Sequence, residues 1–363
     1  MEFSIGALAQ SLGLKADGDL DLTILAASEP ADAGPDDLAV AMSPKYAGDL
    51  GKGQARAAIL WDGADWKAMG LSAAIFAPRP RLAMSGLTRQ MDLGQGYAAG
   101  IHPSAVVDPA AVIGEGVSIG PMSVVMAGAR IGDGTVLGPQ TFVGMNATLG
   151  QNCFLREHAS IGARVTVGDR VILQPGARLG GDGFSYVTPE VSAVENVRHT
   201  LGDAGDAKAQ AWVRIHSLGS VRIGNDVEIG ANATIDNGTI RDTTVGDGTK
   251  IDNLVTLGHN VIVGKDCLLC GQVGIAGSTH IGNNVVMGGQ AGSTDNIFIG
   301  DNAVIGGKAG LLTNVPAGRV MMGYPAVKME LHTEIYKAQR RLPRLLKDVA
   351  DLKKAVFNGD PNG

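Results

Sequence analysis

The sequence predicts a mainly β protein: a left-handed parallel β-helix of hexapeptide repeats, with a small N-terminal α/β domain and C-terminal α-helices. Three observations carry this. Aliphatic residues recur at every sixth position from Ile101 onward. Of 363 residues 53 are glycine, and hydrophobic residues make up 45% while aromatics make up only 4%, which suits a tightly turning backbone with an aliphatic core. The first hundred residues show no such period.

Residues 1–100 form the α/β domain of this reading. Ser4 precedes apolar residues at helical spacing as far as Leu12 and is a candidate helix cap. Short apolar runs at 22–26, 38–42, 57–61 and 73–77 are bounded by Gly, Pro or Asp and read as buried strands. Leu82 to Met91 reads as a further helix. The segment from Asp36 to Tyr46 ends a strand in a polar turn tipped by an aromatic ring.

The β-helix occupies residues 101–322. From Ile101 through Val107 and Ile113 to Leu179 every sixth residue is aliphatic, a run that chance would produce about once in 10⁵ registers at this hydrophobic content. The next position is often Gly, and the fourth is small or Val, which is the hexapeptide signature. Three hexads close a triangular coil of roughly 18 residues, each side a short parallel strand whose aliphatic residue points inward. Each coil is capped by its neighbours, so stability is close to one-dimensional. A left-handed coil is an exception to the usual right-handed crossover.

The beat pauses over residues 180–220, an excursion loop of the kind that carries function on a rigid scaffold. It resumes at Ile223, Ile229 and Ile235, slips by four residues around Asn237 to Thr244, and then runs from Val245 to Leu311 with Ser293 as its polar member. The total is roughly thirty hexads, or about ten coils. Residues 323–363 form a helical segment, read as Val327–Leu342 and Arg344–Phe357 split at Pro343 and serving as a cap.

Several function classes fall away. A net charge of −6 argues against nucleic acid as a partner. Cys153, Cys267 and Cys270 make no disulfide framework and fit a reducing compartment. Glu2 stands where a signal peptide would be basic, and no run reaches the roughly 20 apolar residues of a membrane span. The expectation is a cytoplasmic protein without an integral membrane segment.

His259 lies two places after the inward Leu257, a phase that puts it outside the coil. An imidazole there can accept a proton near neutrality, although a solvated surface histidine has the same phase. His102, His158, His199, His216, His280 and His332 read as surface or structural. No histidine pair has the five-residue spacing of the zinc hydratases built on this repeat, so no metal is expected. Cys267-Leu-Leu-Cys270 is a lone CxxC whose first thiol falls on an inward position, and it reads as core. The glycines around Gly180 and Gly271 match no phosphate-loop motif. Lysines and arginines outnumber acidic residues between Lys328 and Lys354, giving either a docking face for an acidic partner or an ordinary solvated surface.

Beyond these features, the chain closely resembles the UDP-3-O-(3-hydroxyacyl)glucosamine N-acyltransferase family of lipid A synthesis over nearly its whole length. The matching segments are Met42-Ser-Pro-Lys-Tyr46, Gly181-Asp-Gly-Phe-Ser-Tyr186, Ile229 to Asp236, Ile251-Asp-Asn with Gly-His-Asn260, Ile275-Ala-Gly-Ser278 and Gly288-Gly-Gln-Ala-Gly292. The resemblance implies a homotrimer that binds its acyl chain and phosphopantetheine in grooves between β-helices. It implies transfer from an acyl carrier protein thioester to the 2-amine of UDP-3-O-acylglucosamine. His259 would be the general base, Asp252 and Asn253 would orient it and hold pantetheine or sugar, and the Gly277 N–H would face the oxyanion. Tyr46 would stack on uracil beside Ser43 and Lys45, Phe184 would line the substrate groove, and the basic helices would meet the carrier protein. The enzyme would need no cofactor of its own, since phosphopantetheine arrives on the carrier.

Three positions depart from the family pattern. Val40 replaces an aromatic residue, Ser43 replaces a turn asparagine, and Asn296 stands where the family has a second active-site histidine, leaving Asn296 as a substrate-binding residue unable to move protons. The other readings are the related sugar O-acyltransferase, a CoA-dependent acetyltransferase and a non-enzymatic β-solenoid scaffold. The hundred-residue N-terminal domain argues against the O-acyltransferase, whose members begin almost directly with hexads.

Overall fold

A computed structural model describes residues 2–357 apart from 201, 204 and 207, and apart from the side chains of 198, 199 and 357. The chain divides into two compact units, Met1–Gly96 and Tyr97–Gly363.

The first unit is a five-stranded sheet. Ala26–Ser28, Asp37–Ala41, Ala57–Trp61 and Ala73–Ala77 run parallel, and Lys15–Gly18 joins the last of them antiparallel. Asp37–Ala41, Ala57–Trp61 and Ala73–Ala77 coincide with apolar runs and are largely buried on both faces, while Ala26–Ser28 is a more exposed strand at the sheet edge. Lys15–Gly18, by contrast, is a polar edge strand without an apolar signal. On one face Leu38, Ile59 and Ile75 pack with Ile5, Leu8 and Leu87 of the helices Ile5–Leu12 and Pro80–Met91. Ser4 Oγ caps the first helix by accepting from the Ala7 N–H at 3.2 Å, and Gly13 closes it in the left-handed conformation.

The second unit is the parallel β-helix. Two-residue strands stack into three parallel sheets of ten, nine and ten strands. The first face runs from Val106–Val107 to Gly310–Leu311, the second from Val112–Ile113 to Phe298–Ile299, and the third from Ser118–Ile119 to Val320–Met321. Neighbouring coils are offset by 18 residues, as between Leu257 and Ile275. The hexad residues form one continuous core, in which Leu257, Val261 and Leu269 are fully buried. Burial of such a side chain contributes about 1.5–3 kcal/mol, and every coil repeats it.

Polar residues regulate the stack without interrupting it. Asp133, Asp169, Asn225, Asp247, Asn283 and Asp301 stand at the edge between the second and third faces, and each accepts a backbone N–H from the preceding coil at 2.7–2.9 Å. The inward Thr249 hydroxyl donates to the Gly264 carbonyl and accepts from the Cys267 N–H. Cys267 is buried, and burial pushes its thiol above the usual range, so it belongs to the core. Ser293 is half-buried in its hexad position, 3.5 Å from the Thr279 hydroxyl.

The repeat breaks at one edge, between the first and second faces. After Arg178–Gly181 the chain leaves the coil, forms a hairpin of Tyr186–Val187 with Val213–Arg214 and the helix Ala193–Thr200, and rejoins at Val221. One coil later the same corner is enlarged: the step from Val221 to Thr243 is 22 residues rather than 18.

The C-terminal segment differs from the two helices expected. A single helix, Met329–Phe357, carries Pro343 inside it. Proline removes one backbone hydrogen bond and crowds the preceding turn at a cost of about 3 kcal/mol, but the strong helix formers on both sides continue the helix. Its described side chains are all exposed.

Candidate active site

His259 leaves the first face two residues beyond the strand Thr256–Leu257, at the edge where the repeat breaks. Its phase points it outward, as the hexads require, yet the structure leaves it only half exposed. Gly183 of the excursion packs over it, so closely that a Cβ on Gly183 would lie 2.7 Å from the His259 Cβ. On the next coil Gly277 supports the ring, and a Cβ there would lie 2.7 Å from both Cε1 and Nε2. Both glycines are required by close approach. The Gly277 N–H finds no acceptor among the described residues and stands free beside the imidazole.

Asn260, which sequence reasoning passed over, holds the ring. Its Oδ1 lies 3.0 Å from His259 Nδ1. The orientation of this amide is fixed by its other partners: Nδ2 donates to the Arg241 carbonyl at 2.9 Å, and Oδ1 accepts from the Thr239 N–H at 3.1 Å. Oδ1 therefore also accepts from Nδ1–H, which leaves the lone pair on Nε2, over Gly277. Thr239 and Arg241 belong to the enlarged corner, and the Arg241 guanidinium returns a bond to the Asn260 carbonyl at 3.0 Å. The four-residue slip in the beat was the visible trace of this support. Asp236, at the end of the strand Thr234–Asp236, faces His259 from the coil below, and burial raises its carboxyl to about 6.

Within one chain Asp252 and Asn253 do not reach the edge that carries His259. They follow Lys250–Ile251 of the third face, and one hexad carries the chain through one whole side of the prism, so they emerge at a different edge. There the Asn253 side chain accepts from the Ala231 N–H at 2.6 Å. Both residues line a groove of about 440 Å³ with Gln174, Glu228, Lys250 and Cys270. Asn296 lies on the His259 edge two coils away, a rise of about 10 Å, with its N–H on the Gly277 carbonyl and its side chain on Asp295. Phe184 is 86% exposed beside this edge and meets Tyr186 edge-on at 5.1 Å. His102, His158, His216, His280 and His332 are exposed, and the side chain of His199 lies outside the described residues.

In the first unit, Ser43, Lys45 and Tyr46 line a groove of about 760 Å³ with Val40, Met42 and Arg81. The Lys45 ammonium sits 4.5 Å from the Tyr46 ring centroid.

Residues 100–144 match the bacterial transferase hexapeptide (six repeats) model, and residues 220–258 match the hexapeptide repeat of succinyl-transferase. The chain is 71% identical to UDP-3-O-acylglucosamine N-acyltransferase of Ruegeria pomeroyi, over 100% of both chains. The chain belongs to the UDP-3-O-acylglucosamine N-acyltransferase family. A second member, from Paracoccus denitrificans, is 60% identical over 98% of this chain and 97% of its own. The chain also superimposes on Arabidopsis UDP-N-acetylglucosamine acyltransferase with a TM-score of 0.52 at 24% identity, over 62% of this chain and 71% of the other, a likeness of fold.

For an N-acyltransferase of this family, the arrangement at His259 supplies a directed lone pair and a free backbone donor on one edge. Gly277→Ala tests their dependence on close approach. The added Cβ meets the ring at 2.7 Å, and kcat is expected to fall by about 100-fold or more, the scale of a misplaced base, with the melting temperature nearly unchanged. Near-normal turnover would show that the ring does not work where it rests.

Proposed function

We propose that this N-acyltransferase moves a 3-hydroxyacyl chain from an acyl carrier protein thioester to the 2-amine of UDP-3-O-acylglucosamine, in the cytoplasmic stage of lipid A biosynthesis. The observation that carries the reading is His259, its Nε2 lone pair fixed by Asn260 and packed against Gly277, whose N–H has no acceptor among the described residues. A thioester is already activated. Acyl transfer to an amine then needs the reactants held in line, one base for the proton released on attack, and one donor for the oxyanion. Nε2 is the base, and the Gly277 N–H is the donor. The phosphopantetheine arm arrives on the carrier protein, and the enzyme needs no cofactor of its own.

The active assembly in this reading is a homotrimer. Asp252 and Asn253 share no edge with His259 in one chain, so a site that uses all three forms only between chains. A second observation favours self-association. Along the exposed C-terminal helix apolar residues recur at alternating steps of four and three, from Leu331 and Ile335 through Leu342 and Leu345 to Val356. That 3.5-residue period is a coiled-coil seam, whose natural partner is another copy of the same helix. Pro343 falls off the seam. The basic face of these helices is the docking surface for the acidic carrier. The Tyr46 groove takes the uridine end of the acceptor, with Lys45 and Arg81 as cations for its diphosphate. Among the described residues no helix is long and apolar enough to cross a membrane.

Product analysis with UDP-3-O-acylglucosamine and a panel of acyl carrier protein thioesters tests the reading. An amide at the 2-position supports it, and an ester or an acetyl-CoA-dependent product overturns it. His259→Ala is expected to remove about 10²–10⁴ of the rate while the fold persists, and Asn296→Ala to cost much less. Equal losses would give Asn296 a share in proton transfer. Tyr46→Ala should raise KM for the UDP-sugar with little change in kcat, and an effect confined to the carrier protein's KM would refute the uridine assignment. Mixed oligomers of inactive His259→Ala and Asp252→Ala chains should regain activity, since some interfaces combine both intact residues. Mixtures as inactive as their parents would exclude a shared site.

A further inference from the structure

The amine acceptor raises a proton problem that one histidine does not solve. An aliphatic amine beside electron-withdrawing oxygens titrates near the α-amino range, about 8, so near neutrality it reaches the enzyme mostly as ammonium. One proton must leave before nitrogen can attack and another after the C–N bond forms. His259 accounts for one of them.

Asp236 lies where the other would go. Ile235 and Leu257 are paired neighbours on the first face, and Asp236 and His259 follow them out of the same edge on successive coils. Gly181 pairs with Asp236 and Gly183 packs on His259, so the short excursion segment between them roofs both side chains. The charged groups facing the Asp236 carboxylate are His259 and Asp182, with the Phe184 backbone N–H as a further donor. No lysine or arginine pairs with it among the described residues. The nearby guanidiniums are engaged: Arg214 with Asp182 at 2.7 Å, Arg222 with Asp242, and Arg241 on the Asn260 carbonyl. Nor does Asp236 orient the imidazole, because Asn260 occupies Nδ1. A half-buried carboxylate with no lysine or arginine partner among the described residues, and only the His259 imidazole beside it, can receive a cation that arrives with the substrate.

We propose that Asp236 is a catalytic residue that receives the acceptor's 2-ammonium and takes its first proton, leaving the second to His259. This rests on the transfer reading above. The proton passes from ammonium to the Asp236 carboxylate, giving a neutral amine and a carboxylic acid. The amine lone pair attacks the thioester carbonyl, the C–N bond forms, and the oxyanion meets the Gly277 N–H. His259 Nε2 removes the proton now on nitrogen. The C–S bond breaks, and the imidazolium protonates the departing thiolate. Asp236 returns its proton to water, so ammonium plus thioester gives amide, thiol and one proton. Burial holds the Asp236 carboxyl at about 6, which brings it closer to the amine than an ordinary carboxylate and makes it a better acceptor.

The test is the pH profile of kcat/KM for Asp236→Asn in the full-length enzyme. The variant must wait for the neutral amine. Its deficit against wild type should therefore shrink by about tenfold between pH 7 and pH 9, as the amine passes through its titration near 8. Below about 6 the wild-type advantage should fade as Asp236 itself takes up a proton. Asp236→Glu, which keeps the carboxylate, should keep the wild-type profile shape at a lower kcat. A deficit constant with pH, no deficit, or a glutamate variant that follows the asparagine one would overturn the assignment. Wild type is assayed alongside: if it yields no amide at any pH, the transfer reading itself fails, whereas active wild type with a flat ratio removes Asp236 alone.

Discussion

Everything in the second unit depends on the inward stacking of one aliphatic residue per face. A two-residue strand is too short to hold itself, and only pairing with the coils above and below satisfies its backbone. The stacking fixes the step at six residues, and the step fixes which residues face out. The scaffold is therefore rigid wherever the beat is kept, and chemistry can be placed only at the edges. The edge ladder from Asp133 to Asp301 shows one use of an edge, tying coil to coil through backbone N–H groups.

The edge bearing His259 shows another. Two consecutive coils break the repeat there, one by an excursion and one by an enlarged corner. Both breaks serve the same ring. The excursion lays Gly183 over it, and the corner supplies the backbone groups that fix the Asn260 amide. A regular coil would have left His259 a mobile surface side chain. The irregular ones convert it into an imidazole of known tautomer over a free N–H, and they place a partly buried carboxylate beside it.

The prism geometry also separates residues that lie close in sequence. Residues one hexad apart are adjacent in sequence but emerge at different edges, so the proximity of Asp252 to His259 in sequence does not make them neighbours in one chain. An assembly in which edges of different copies face each other removes that separation. The exposed heptad seam of the C-terminal helix fits such an assembly.

The sequence by itself determined the β-helix, the inward set from Val107 to Leu311, the pause at 180–220 and the slip before Val245, because a strict period leaves no other register for the core; Ile101, at the open end, stays exposed. It also determined that His259 points outward and that Cys267 points in. Only the tertiary structure decided the rest. Lys15–Gly18 is a strand because an apolar neighbour recruits it, not because of its own residues. The helix Met329–Phe357 runs through Pro343, against the local rule for proline. Asn260 and Asp236 join the site because two interruptions, on consecutive coils, fold against the same corner. A hexad period states which way a side chain leaves the coil. Which groups await it there depends on contacts between coils, and those are set by three-dimensional packing.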